Sequence, residues 1–415
     1  MENYKREEKI SILVLTFLGF LFDGFDLLIY SYTIVSIEAA FNTNDATMGL
    51  IQSLTLFSTL IGAIVFGWIS DRFGRKKGLM LTIGFYGIST LISGFTQNIY
   101  QFTVTRILAG FGIGGEWGIG FSLLSEAWDK RKGLAGGILQ SAFSVGMVLA
   151  IFVSEFFITS YPSTGWRFIY FTGGIPAILV AIIRYYVPES IQWKLESRHK
   201  IRMERLKIFI QKDTFKNLLI TLLLTSGFFF MAYAIITWWP KILEKIYGIS
   251  PATFSFPLMI GSLIQVPIIF FVGYISDRIG RKNTSILFAT LTFISLILWL
   301  IFIYNTKFFY GSIWTWPIMI GYLFYQAVSL YIGVFGIWFS EIFSLKIKST
   351  ASNISYMAGR GIGGALSASL VVVFSTYLKG LQYSMISMAL IGVLGSLIAI
   401  FLLPDKMKKT IKSFP

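Results

Sequence analysis

The sequence predicts an all-α integral membrane protein of twelve transmembrane helices, arranged as two pseudo-symmetric six-helix bundles. Three observations carry this. The composition, 55% hydrophobic and only 13% charged with a mean hydropathy of +0.71, is too apolar for a soluble domain. Apolar runs of about 20 residues, enough to cross a ~30 Å hydrocarbon core as helix, can be laid down about twelve times. Finally, GWISDRFGRKK at 67–77 returns as GYISDRIGRKN at 273–283, each at the end of an apolar run, which marks the chain as duplicated.

The first span, about 12–37, follows MENYKREEK with no small-residue cleavage site after it, so it is expected to be retained. It holds Asp23, Asp26 and Tyr30. The second, about 47–69, runs into the first copy of the loop, and the third covers about 79–96. The fourth, about 101–127, holds Arg106, Glu116 and the run GFGIGG. That run lies inside a helix rather than at a strand-to-helix turn, so it reads as a small-residue packing face, Gly110/Gly114/Gly118, and not as a dinucleotide site. The fifth, about 133–160, holds Gln140, and the sixth, about 167–187, closes on VPES.

The one long polar stretch, 188–215, divides six spans from six. It reads as a linker with amphipathic helical character at the membrane surface, separating an N-terminal bundle (1–187) from a C-terminal one (216–415). The lone His199 within it reads as a solvated side chain. The seventh span, about 216–239, holds Tyr233 and ends in Trp238 and Trp239, where an interfacial aromatic belt is expected. The eighth (about 254–275) leads into the second loop copy, followed by the ninth (about 284–304) and tenth (about 311–342). The eleventh, about 350–377, holds Tyr356, Arg360 and a second packing face, Gly359/Gly363; the twelfth covers about 383–403.

Of 35 Lys and Arg residues, 28 fall on one side if the odd-numbered spans run outward. The positive-inside rule then puts both termini in the cytoplasm of a multi-pass cell (plasma) membrane protein. Topology and anionic headgroups account for the net charge of +15, so no nucleic-acid partner is implied. With no Cys and one His, disulfides, thiolate metal sites and Cys/His or Ser/His/Asp catalysis are excluded. Neither a cofactor, a metal nor an enzymatic activity is expected, and the chain is taken as a monomer in the bilayer.

An ionisable residue at the bilayer centre costs about 2.5–3.5 kcal/mol on insertion scales, so such residues mark pathways. Asp23 and Asp26, three residues apart, share a helix face that Tyr30 continues. Two close carboxylates in a partly dehydrated cavity cannot both ionise cheaply, which suits proton handling, with Asp26 the favoured carrier of the two. Arg106 sits at the depth of Asp26 and can hold a carboxylate deprotonated. Glu116 is either a second proton site or a packing hydrogen bond. Arg360, near the midplane with Tyr356 one turn away, offers a guanidinium fork to a carboxylate substrate; the alternative is an ion pair with an acidic residue of the other half. Gln140 and Tyr233 complete the polar set or act as interhelical glue.

The twice-used G-x-x-x-D-R-x-G-R-K loop resembles the signature of the major facilitator superfamily. RILAGFGIGGEW at 106–117 is similar to that family's second motif. DGFD (23–26), GGEWGIG (114–120) and SEAWDKRKGLAGGILQSAFSVG (125–146) look most like the metabolite:proton symporters that carry sialate, lactate or related carboxylates; the aromatic-acid:proton symporters share the DG[FY]D element. VPESIQW lacks the proline and arginine of the sugar-porter PESPR element, and the glycine-proline motif of drug antiporters is missing from the fifth span.

The resemblance implies two six-helix halves around one central site and uptake of a small organic anion with protons by alternating access. It also implies a cytoplasmic gate of Asp71, Arg72, Arg75 and Glu126 in one half and Asp277, Arg278, Arg281 and Glu341 in the other, favouring the outward-open state. A proton-coupled sugar or aromatic-acid carrier, and a non-transporting sensor on the same fold, are the other readings.

Overall fold

The structure is a computed structural model describing residues 4–128, 132–176, 179, 188–196, 211–305, 316–343 and 347–404. His199, most of the linker and the second half of the sixth predicted span lie outside the described residues. In the first half the helices are α1 (Arg6–Phe41), α2 (Asp45–Phe73), α3 (Arg75–Ser93), α4 (Ile99–Ala127), α5 (Lys132–Ser160) and α6 (Gly165–Thr172). A short α7 (Ile191–Glu196) comes next. The second half has α8 (Lys212–Lys241), α9 (Pro251–Ile279), α10 (Arg281–Asn305), α11 (Trp316–Val328), α12 (Phe335–Ile342), α13 (Lys348–Gly359), α14 (Ala365–Tyr377) and α15 (Leu381–Leu402). A 3₁₀ turn (Leu330–Val334) joins α11 to α12 as the tenth span, and a π-helical turn (Arg360–Gly364) joins α13 to α14 as the eleventh.

Among the described residues ten helical spans are long and apolar enough to cross a membrane. The 19-residue α3 and the start of the sixth span complete the twelve-span architecture. A helix pairs its backbone groups within the segment, the condition for crossing lipid. Their outer faces stay apolar, with Ile64 on α2, Phe271 on α9 and Ile398 on α15 all exposed. Many buried hydroxyls return their protons to the preceding turn, as in Thr16 to the Ile12 carbonyl (2.7 Å) and Thr55 to that of Ile51 (2.8 Å).

Within the first half α1 packs on α5 and α2 on α4; within the second α8 packs on α15. The glycine run of α4 makes its contact possible, because a Cβ at Gly110 or Gly114 would strike the α2 backbone at Thr55 or Thr59. Across the halves α5 meets α9, α2 meets α14 and α1 meets α8. On the α2–α14 seam, Ser53 Oγ donates to the Ala365 carbonyl (2.5 Å) and lies 2.7 Å from Ser369 Oγ.

The duplicated loop has the same backbone in both copies. α2 ends at Gly74 (φ 112°), whose N–H returns to Ser70 O, and α9 ends at Gly280 (φ 92°), whose N–H returns to Ser276 O. Only glycine adopts such angles without strain, which accounts for the glycine in each copy. Trp238 and Trp239 depart from the interfacial belt expected of them. Both are buried, Trp238 donating to the Ala368 carbonyl (3.0 Å) and Trp239 set edge-on against Trp299. The end of α8 faces the eleventh span and the bundle interior rather than lipid, so these indoles pack.

Candidate functional site: a central cavity and two buried ion pairs

Asp23 and Asp26 do not pair with each other. Three residues around α1 turn them toward different helices, and each carboxylate meets its own arginine. Arg106 of α4 grips Asp26 with both terminal nitrogens, Nη2–Oδ2 at 2.7 Å and Nη1–Oδ1 at 3.1 Å, and Thr90 of α3 also donates to Oδ1. The guanidinium lies 6.0 Å from the Tyr30 ring centre and 5.4 Å from that of Tyr170. This site is enclosed within the first half.

Arg360 makes the matching fork to Asp23, Nη2–Oδ1 at 2.7 Å and Nη1–Oδ2 at 3.0 Å, while its Nε donates to the Tyr233 hydroxyl at 2.8 Å. This pair joins the two halves through α1 and the π-helical turn. Both side chains are essentially inaccessible, at 1% and 0%. A buried pair of this kind adds little net stability when formed, but removing one partner costs about 3–5 kcal/mol because a naked charge is left behind.

Beside Arg360 lies a cavity of about 70 Å³ between α5 of the first half and α8, α9, α11 and the eleventh span of the second. Gln140, Tyr233, Tyr356 and Arg360 line it, as do Phe143, Ser144, Gln265, Gln326 and aromatic rings of α8 and α11. Behind the lining residue Tyr356, Trp117 of α4 stacks on its ring at 3.9 Å with ring planes 3° apart. Gln140 ties these rings together, accepting from Trp117 Nε1 (3.3 Å) and donating to the Tyr356 hydroxyl (3.4 Å).

Other predicted site residues stand apart. Tyr30 is not a lining residue; its hydroxyl donates to the Met48 carbonyl at 2.6 Å and its ring stacks near Phe102. Glu116 is buried against Gly19, where the missing side chain leaves room for its carboxylate. Thr82 donates to one of its oxygens (3.2 Å), while the other, Oε1, has no hydrogen-bond partner among the described residues.

The two loop copies each centre on an arginine. Arg75 pairs with Asp71 and lies 3.6 Å from Glu126, whose other oxygen accepts from Ser190. Glu189 accepts from the Arg75 backbone N–H at 2.8 Å, so VPES is part of this cluster. Arg281 pairs with Asp277 at 2.5 Å and with Glu341 at 3.2 Å. Arg72 and Arg278 take no part in these pairs and lie over the Trp68 and Tyr274 rings. At the opposite end of the molecule Lys241 of α8 is held by both Glu38 and Asp45 of the first half.

That Lys241 cluster, with Trp117, Ser144, Gln265 and Gln326, is not among the residues the sequence singled out. Gln265 and Gln326 are polar residues inside apolar spans, the signal that distinguished Gln140. Partners more than 100 positions apart leave no sequence signal.

The sequence motif and this geometry meet in the comparisons. The model of the Major Facilitator Superfamily matches residues 16–340 and again 229–414. The chain belongs to that family. It is 28% identical over 93% of its length, and 88% of the relative's, to a protein of Cupriavidus pinatubonensis described as a probable 4-methylmuconolactone transporter. Identity to the sialic acid transporter NanX of Escherichia coli is also 28%, over 94% of each chain. Among solved structures, the proton:xylose symporter XylE bound to 6-bromo-6-deoxy-D-glucose superposes with a TM-score of 0.78 over 97% of each chain at 20% identity, a likeness of fold. Relatives and structural neighbours alike are transporters, and this chain is a multi-pass transporter of the superfamily, not an enzyme.

Proposed function

We propose that this transporter is a proton-coupled symporter that takes up a small organic carboxylate by alternating access. The observation that carries the reading is the fork between Arg360 and Asp23, which spans the two halves at the wall of the cavity. A guanidinium takes one carboxylate bidentately along a given edge. A substrate carboxylate entering the cavity therefore competes with Asp23 for the same two nitrogens. Once displaced, Asp23 is an unpaired anion among apolar helices, a costly state, and proton uptake relieves it. Arg360 stays charged throughout.

One carboxylate and one proton then move together and the cycle is electroneutral. Asp26 and Arg106 hold the first half's geometry beside it, and Glu116 is a further proton acceptor within reach of Thr82. The carrier is assigned to the plasma membrane with both termini cytoplasmic. Its rocking units are 1–187 and 216–415, joined by 188–215. On this topology the Arg75 and Arg281 clusters close the cytoplasmic side, and the Lys241 cluster closes the outer one. Relatives named for 4-methylmuconolactone and for sialic acid support an organic-acid substrate.

The test is purified protein in proteoliposomes holding a trapped pH-sensitive dye. Addition of substrate carboxylate should acidify the lumen, and an inside-alkaline gradient should drive accumulation. Uptake that ignores the gradient, or that survives Asp23→Asn with its pH dependence intact, would sink the proton-coupled reading.

A further inference from the structure

The cavity beside Arg360 is not simply greasy. A ladder of neutral polar groups crosses it: Ser144 Oγ donates to Gln265 Oε1 (2.8 Å), Gln265 Nε2 to Gln326 Oε1 (2.9 Å), and Gln326 Nε2 to the Tyr322 hydroxyl (2.6 Å). Ser144, Gln265 and Gln326 all line the cavity and are at least nine-tenths buried. An amide carries two N–H donors and two carbonyl lone pairs. Within the ladder each glutamine gives one N–H and accepts once, so donor and acceptor capacity remains on a wall where such capacity is expensive to leave idle. Among the described lining residues Arg360 is the sole ionisable cation, and none carries a carboxylate.

We infer that the substrate is a monocarboxylate bearing neutral hydroxyl groups, its carboxylate on Arg360 and its hydroxyls on the Gln265 and Gln326 amides. This rests on the symporter reading above and adds the specificity of the site. A purely apolar or aromatic acid leaves the ladder's spare groups unpaired. A second carboxylate has no cation among those residues to meet. Sites that hydrogen-bond a substrate hydroxyl discriminate against the analogue lacking it.

Binding to purified wild-type protein should be measured for two matched pairs, glycerate against propionate and gluconate against hexanoate, with glucose as the neutral control. The hydroxy acid should bind at least about tenfold tighter than its deoxy partner in at least one pair, the effect of one or two hydrogen bonds. Gln265→Leu and Gln326→Leu should each erase that preference while still binding the deoxy acid, which also shows that the variants fold. Equal or tighter binding of the deoxy acid in both pairs overturns this inference alone, as does a hydroxy-acid preference that survives both substitutions. Failure of all four acids to bind, or glucose binding as well as gluconate, removes the carboxylate-symporter reading and this inference with it.

Discussion

The two buried arginine–aspartate pairs are chemically the same fork, built on aspartates three residues apart on one helix, with bond lengths that agree to 0.1 Å (2.7 and 3.1 Å against 2.7 and 3.0 Å). Their surroundings differ. Arg106–Asp26 lies within one half, receives a further bond from Thr90 and is enclosed by tyrosine rings. Arg360–Asp23 joins the halves and borders open space. Identical bonds thus sit in different settings: one pair is closed in by protein, while the other faces the volume from which, on the proposed reading, a competing carboxylate arrives.

The largest effect expected is on the enclosed pair. Asp26→Asn leaves Arg106 buried without its counter-charge and should cost about 3–5 kcal/mol, read as a large loss of thermal stability in detergent. Asp26→Leu combined with Arg106→Leu should recover most of it, since removing both charges of a buried pair is often neutral. An Asp26→Asn protein as stable as wild type would show that Arg106 does not need its counter-charge in the enclosed site.

Next in size, Arg360→Lys keeps the charge but loses the fork, and substrate affinity should fall about 100-fold; wild-type affinity in a binding titration would remove Arg360 from the substrate site. Asp23→Asn should still bind and exchange substrate, yet lose net uptake driven by external acid. The sign comes from the competition: protons outside favour the neutral, displaced Asp23, so wild-type uptake rises as external pH falls and the variant's stays flat. Weakest of all, Trp117→Ala removes the ring that backs Tyr356 at the cavity wall and should lower affinity by about three- to tenfold, the worth of one aromatic pair. A larger loss would make the Trp117–Tyr356 stack as important as the arginine.

The fold was almost wholly legible in the sequence, because a membrane span needs length and apolarity and both are local properties. The Arg106–Asp26 pairing was legible too, since two antiparallel helices of known ends place residues at matching depths. Asp23–Arg360 could be anticipated only as an unnamed partner in the other half, because depth does not say which way a side chain faces across a bundle. The expected repulsion of Asp23 and Asp26 missed that a spacing of three residues can divide a pair between neighbours as easily as join it. Trp238 and Trp239 were misplaced for a similar reason: their position along the span was right, but the side of the helix was decided by packing against the eleventh span.

That eleventh span is jointed. The π-helical turn at Arg360–Gly364 takes up one residue more than an α-turn, which rotates α14 relative to α13 by roughly 100°. The two segments it separates hold different helices of the opposite half: below the joint Tyr356 stacks on Trp117 of α4, and above it Ala365 and Ser369 meet Ser53 of α2. Each arm of the jointed span is therefore tied to a different helix of the opposite half, with the Arg360 guanidinium at the elbow.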